Sequence, residues 1–307
     1  MITNRKIFGN HLDRDVGNIF FDDYADYPSE FDRVAKVGQA PAGNHWTEAE
    51  LSPLGKLREI PEGGGITFDF PVEGHKKTVY YNKYGLGFQI TKEMYTDDLT
   101  GNFKKMPSKL AKSAGLKREV EFWSLFNNGF DSETSWDSQY IFDTDHTTLK
   151  SGDTIKNEPD TASSLSETSL QAAFEYYDGV GNGLVDEAGN PLNMQPKYLI
   201  VPSKLRWTAN QLMKNTMNIG SANRDLNTVN ASNDMVNPYE LIISRWLTSD
   251  TAWFLLSDEH DFRFWWKEQA EMSSQDDFYT DSALFKVVMR FACFAMDYKG
   301  AYGNEGS

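Results

Sequence analysis

Five histidines, at positions 11, 45, 75, 146 and 260, and one cysteine, Cys293, are the imidazole and thiol side chains from which a zinc site or a Cys-His nucleophile could be built. The histidines lie far apart, and none falls in the His-Glu-x-x-His spacing that places two zinc ligands on one helix face. A single cysteine excludes an intrachain disulfide framework and a cysteine zinc site. Within Arg290-Phe291-Ala292-Cys293-Phe294-Ala295 it reads as a small buried hydrophobe rather than a nucleophile. Asp143-Thr144-Asp145-His146 offers hard oxygen ligands. It lacks the sixth-position glycine and twelfth-position glutamate of a calcium loop, so a turn is favoured. Asp258-Glu259-His260-Asp261 reads as a surface turn between strands. Gly179-Val180-Gly181-Asn182-Gly183 follows a helical stretch instead of a strand and lacks the second half of a nucleotide motif, which leaves a flexible loop. There is no Gly-x-Ser-x-Gly elbow and no Ser-x-x-Lys. A carboxylate dyad assembled by folding has no sequence spacing and stays open. The expectation is a protein with no catalytic residue, no cofactor and no metal.

The totals set the frame for the elements. At 307 residues the length is enough for about two domains and a substantial core. Apolar residues make up 39% and aromatics 14%, a composition that folds. The longest apolar runs, such as Ala252-Trp253-Phe254-Leu255-Leu256, are too short to span a bilayer, and the N-terminus has no apolar signal region. The chain reads as soluble and intracellular. Its formal charge of −15, from 45 acidic and 30 basic residues, is the wrong sign for gripping nucleic acid. The one basic cluster, Lys104, Lys105, Lys109, Lys112, Lys117 and Arg118, reads as a solvated helix face.

The most informative stretch is 58–130. Ile66-Thr67-Phe68-Asp69-Phe70-Pro71-Val72 alternates, with Ile66, Phe68, Phe70 and Val72 on one face. Glu73-Gly74-His75-Lys76-Lys77 reads as a turn. Thr78-Val79-Tyr80-Tyr81 starts a return that ends in Gly85-Leu86-Gly87-Phe88-Gln89-Ile90-Thr91. The pattern predicts a thin hairpin with an aromatic face and no core beneath it. A two-stranded ribbon alone is marginal in water, so a neighbouring copy is expected to cover it. Phe68, Phe70, Tyr80 and Tyr81 are the residues expected to be bare within one subunit. Lys76 and Lys77 would sit at the hairpin tip, where lysines serve solubility.

After a loop at 96–102, Pro107 suits a first helical turn. Leu110, Ala114, Leu116, Val120, Trp123 and Phe126 then give one apolar stripe of a long helix to about 128. Gly115 inside it marks either a bend or close packing. A second helix is predicted over 166–177 with Ser166 as N-cap, and a third over 203–213. Strands are predicted at 198–201, 239–247, 252–256, 262–266 and 283–297, with an Asn-rich loop at 214–237. Residues 1–45 show no sustained period and read as an extended arm that packs on something else. The class is α+β.

The order of these parts carries a resemblance. Lys83-Tyr84-Gly85-Leu86-Gly87-Phe88-Gln89-Ile90-Thr91-Lys92-Glu93 and the long helix follow the hairpin. Then come Tyr198-Leu199-Ile200-Val201-Pro202, Ala252-Trp253-Phe254-Leu255 and Arg290-Phe291-Ala292-Cys293-Phe294-Ala295-Met296-Asp297-Tyr298-Lys299-Gly300. This resembles the major capsid proteins of tailed bacteriophages with the HK97-like fold, in particular the Mu-type major head subunits, from about residue 60 to 302.

The resemblance implies an N-terminal arm (1–45) and an extended loop overlapping the adjacent subunit (46–92). It implies a peripheral domain (93–164) with a spine helix at about 107–128, an axial domain (165–260), and return strands of the peripheral domain (261–307). It implies a virion protein, made in the host cytoplasm, that assembles with itself as hexamers and pentamers of an icosahedral shell. The shell would enclose double-stranded DNA without specific binding and meet scaffold, portal and decoration proteins, with no membrane. Some relatives carry a long, cleaved N-terminal scaffolding segment for which this chain has no room, which leaves a separate scaffold or an already processed form open. Gly115 is suggestive because the spine helix bends in immature shells. An encapsulin-like compartment shares the fold and is the nearest alternative; an α+β ligand-binding protein or enzyme is the other. Head-to-tail contacts that close by rotation generate rings, which fits an arm lying on the next subunit. An acidic shell interior would repel phosphate, screened beyond about 8 Å at physiological salt, so DNA could slide without sticking.

Overall fold

The structure, a computed structural model, describes residues 16–52, 54–91, 93–94, 105–149, 152–186, 189–214, 240–277 and 279–307. The predicted loop at 96–102, the first fifteen residues of the arm and the Asn-rich stretch 215–237 lie outside the described residues. In chain order the elements are α1 (16–25), β1 (Lys36–Gln39), β2 (His45–Leu51), β3 (Glu73–Tyr80), β4 (Asn82–Thr91), α2 (Lys105–Asn127), β5 (His146–Thr147) and β6 (Thr154–Ile155). They continue as α3 (Glu167–Tyr177), β7 (Pro196–Pro202), α4 (Arg206–Lys214), β8 (Glu240–Ser244), β9 (Trp253–Ser257), β10 (Phe262–Asp277), β11 (Ser282–Ala295) and β12 (Ala301–Asn304). The chain forms two compact units, each drawn from three segments: 1–46, 79–122 and 263–293, and 47–78, 123–262 and 294–307.

The first unit holds a four-stranded sheet in the order β1-β10-β11-β4. β4 runs antiparallel to β11 from Asn82 opposite Phe291 to Thr91 opposite Ser282. This corrects the expectation that 85–91 is the return strand of a hairpin: its alternation is matched by β11, more than 190 positions downstream. α1 was not anticipated. Val16, Phe20 and Tyr24 recur every four residues, too short a run to stand out, yet Val16 and Phe20 are buried and Phe20 stacks on Tyr24 at 5.6 Å. The next segment continues onto the long helix. The Arg118 guanidinium lies 4.5 Å over the Tyr24 ring, Phe31 packs on Phe122 and Phe264, and the Glu30 N–H donates to the buried Glu119 carboxylate at 2.8 Å. This part of the arm therefore packs on its own chain.

α2 runs unbroken through Gly115, and the Tyr27 ring lies against that glycine. A Cβ there would sit 2.5 Å from the ring's Cγ and Cδ1, so close packing, not bending, has a contact behind it. Alanine adds about 1 kcal/mol of helix propensity over glycine, but overpacking costs about 1–3 kcal/mol. Gly115→Ala is therefore expected to lower the melting temperature in the wild-type background and to raise it in a Tyr27→Ala background. Thermal unfolding of the two singles and the double checks this, and a rise in both backgrounds sinks it. The buried face of α2 carries Leu110, Ala111 and Ala114, then Phe122, Trp123, Leu125 and Phe126. Leu116 and Val120, predicted to share that face, are exposed with Lys105, Lys109 and Lys112. Spacings of three and four connect residues within either face, so the pattern alone merges two stripes into one.

The second unit holds a sheet in the order β12-β9-β7-β8, with β7 and β8 parallel and β9 antiparallel to both β7 and β12. α3 covers it through Leu170, Ala173 and Tyr177, which join Leu199, Val201, Trp253, Leu255, Tyr298 and Tyr302 in one core. Ser166 caps α3 as predicted: its hydroxyl accepts from the Ser169 N–H while the Ser169 hydroxyl accepts from the Ser166 N–H. A second aromatic cluster gathers Phe126, Phe142, Phe254 and Phe262. At its border Asn157, wholly buried, donates to the Ile141 carbonyl at 2.7 Å and accepts from the Asp143 N–H at 2.8 Å.

Candidate assembly interface

Among the described residues with chemistry in their sequence context, several have structural partners. His146 is buried, its Nδ1 2.7 Å from Asp137 Oδ2 and its ring stacked on Tyr298 at 3.7 Å. His260 is buried too, and its Nδ1 accepts from the Phe262 N–H at 3.2 Å. Asp258 pairs with Lys197, and Cys293 lies in β11. The Gly179–Gly183 stretch turns directly out of α3, with the Gly179 N–H donating to Tyr176 O. No group of acidic, histidine and cysteine side chains able to hold a metal occurs among the described residues. The Glu158 carboxyl is pushed up to about 7 by burial, with Glu305 and Asp143 adding repulsion.

What stands out is an excursion of the chain. β2 and β3 form a two-stranded sheet of their own, with the Thr47 and Thr78 hydroxyls 2.8 Å apart across it. Between them residues 52–72 leave the body and return. The neck is closed twice: the Ser52 N–H donates to Val72 O and the Val72 N–H donates to Ser52 Oγ, each at 2.9 Å. Beyond it the loop keeps few bonds of its own, such as Gly55 N–H to Asp69 Oδ2 at 2.7 Å and Gly64 N–H to Pro61 O at 2.8 Å.

The predicted boundaries shift accordingly. Residues 66–72 are not a strand, because alternation alone supplies no partner and Pro71 removes a donor. Residues 73–77, predicted as the turn, begin strand β3. Lys77 is consequently not at a tip. Its side chain is turned inward, and burial pushes its amine below the ordinary lysine range while Glu133, Asp137 and Asp261 pull the other way.

The aromatic face divides. Phe68 is 79% exposed, Phe70 76% and Tyr80 64%, and Leu57 is fully bare. Tyr81 differs from expectation: it is only 6% exposed, with Lys267 5.6 Å over its ring, because it sits at the junction of β3 and β4 against the first unit's own residues. Leu54, Ile60, Ile66 and Val72 join the exposed apolar set, which concentrates bare apolar side chains along one stretch of chain. Bare apolar surface of this kind favours association.

Comparison with known proteins gives four findings. Residues 77–304 match the family described as phage capsid protein. Over 130 residues the chain is 25% identical to the Mu-like prophage FluMu major head subunit of Haemophilus influenzae, covering 42% of this chain and 41% of that protein. The chain thus spans about two-fifths of the length of this curated relative. Among solved structures, the procapsid of bacteriophage JBD30 superposes with a TM-score of 0.52 at 14% identity, covering 98% of this chain and 76% of that one. The capsid of a native GTA particle superposes with a TM-score of 0.59 at 10% identity, covering 90% of each chain. At these identities the likeness to the solved structures is one of fold.

Proposed function

The chain belongs to the phage capsid protein family, and from that premise we propose that it is a major head protein that assembles with itself into an icosahedral shell around double-stranded DNA. The observation that carries the reading is the bare apolar excursion 52–72. Among the described residues none covers Phe68 or Phe70, which are 79% and 76% exposed, and a copy of the same subunit supplies a cover by rotation about a ring. Residues 46–92 act as the extended overlapping loop and 1–45 as the N-terminal arm. Residues 93–164, with α2 as spine, and 261–307 form the peripheral domain, and 165–260 form the axial domain at the centre of each hexamer and pentamer. The compact units divide the chain otherwise, with 123–164 and 294–307 grouped with the residues assigned to the axial domain.

The role is structural, without catalysis. The net charge of −15 supports an interior that does not hold DNA tightly. Scaffold, portal and decoration proteins complete the particle, which forms in the host cytoplasm and persists as the virion. Electron microscopy and sedimentation of the expressed protein test this: closed shells are expected, and a monodisperse monomer or small oligomer overturns it. Shells that hold protein cargo and exclude DNA would reassign the chain to an encapsulin-like compartment.

A further inference from the structure

Both strands of the loop's hairpin turn charged side chains into the second unit instead of out to water. Glu50, on β2, is 5% exposed. Its Oε1 accepts from Lys299 Nζ at 3.1 Å, and its Oε2 lies 3.6 Å from His75 Nδ1 on β3. The Lys299 ammonium also stands 3.9 Å from Asp297 Oδ2 and 5.9 Å above the Trp136 ring. Two residues beyond His75, Lys77 donates to the Thr134 carbonyl and, at 2.8 Å, to the Ala295 carbonyl. Two ammonium groups thus join β2 and β3 to the segments around 134 and 295–299.

Such an arrangement is costly for stability alone. Burying charge carries a desolvation penalty that pairing only partly offsets, and apolar residues of the same volume do as well or better. Buried ionic groups do supply geometry: an ammonium that must reach two carbonyls accepts one register of its strand, and a one-residue slip would turn it to the opposite face. Geometry is what the loop lacks. Residues 54–70 make few bonds among themselves, and an isolated two-stranded ribbon does not hold a direction in water.

We infer that Lys77, with the Glu50–Lys299 pair, is a positioning group that fixes the register and exit direction of β2 and β3, so that Phe68 and Phe70 are presented to a neighbouring copy. This rests on the reading that the loop is the contact between subunits. The test compares Lys77→Met, Lys77→Arg and Glu50→Gln with the wild type, all as full-length protein. Hydrogen exchange is read in matched oligomeric fractions, and shell yield by sedimentation.

Lys77→Met is expected to speed exchange of amides 73–80 by about ten-fold or more while leaving β7 and β9 at wild-type rates, since only a local opening is made easier. Shell yield falls with it, and Lys77→Arg, which keeps charge and donors, restores both in large part. Glu50→Gln, which preserves shape, loosens the same amides and covers the case in which Lys77→Met does not fold. Wild-type exchange over 73–80 in the variants overturns the clamp, whatever the shells do. Loosened strands with undiminished shell yield overturn its positioning role, and a uniform rise in exchange reduces it to general stability. Normal shells from the Phe68→Ser/Phe70→Ser variant would overturn the contact reading and leave the clamp standing.

Discussion

Phe68→Ser/Phe70→Ser is expected to abolish shell formation while leaving a folded subunit with an unchanged melting temperature. The two rings are 79% and 76% exposed, so the subunit gains almost nothing from them and loses almost nothing when they go. On the proposed reading of the loop as the contact between subunits, an assembled ring buries them. Burying a phenylalanine side chain contributes about 1.5–3 kcal/mol, so the pair contributes about 3–6 kcal/mol to each contact. A closed shell repeats that contact on every subunit, and a loss of this size at each of them moves assembly beyond reach at ordinary concentrations. Sedimentation and electron microscopy read the assembly; a thermal melt reads the fold. Shells formed at wild-type yield would refute the assignment.

Phe126→Ala should do the reverse and destabilise the subunit itself. Phe126 is fully buried, stacked on Phe262 at 4.6 Å with rings 9° from parallel and edge-on to Phe254 at 5.2 Å. Trp123 flanks it at 5.4 Å. Truncating a core phenylalanine costs about 3–5 kcal/mol, the lost transfer energy plus the cavity left by a stack that cannot collapse. Total stabilities run to about 5–15 kcal/mol, so this removes a large share. Urea unfolding of wild type and variant measures it; a difference below about 1 kcal/mol would show that the cluster repacks. The same residue type thus serves opposite ends. A ring inside the cluster maintains the subunit, and a ring on the loop contributes almost nothing to it.

Much of the body was legible in the sequence. The long helix predicted over about 107–128 is α2 at 105–127, and the 166–177 helix with its Ser166 cap is α3, because caps and helical spacing are local signals. The compact strands Tyr198-Leu199-Ile200-Val201 and Trp253-Phe254-Leu255-Leu256 were found because strands buried on both faces read as continuous apolar runs. The hairpin was read in the wrong place for a physical reason. Ile66–Val72 has the alternation of a strand but no partner, whereas β3, Glu73–Tyr80, is polar and pairs with the equally polar β2. Strand pairing is a property of two segments, and neither of these announces the other. The clamp was hidden for the same reason: Glu50 and Lys299, 249 positions apart, carry no mark in sequence of meeting. Tyr81 looked like Tyr80 beside it, and only β4's departure into the other sheet separates their surroundings.

The neck at Ser52 and Val72 also bears on how such a chain can diverge. With the two ends of the excursion bonded to each other, insertions, deletions and substitutions between them leave the strands below in register, since lengthening a closed loop costs little. A single gene encodes both the loop and whatever surface receives it, so each change arrives on every copy at once. With the loop as the contact between subunits, drift in this stretch would have to be answered elsewhere in the same reading frame, and related shells would come to exclude one another's subunits while keeping the same body.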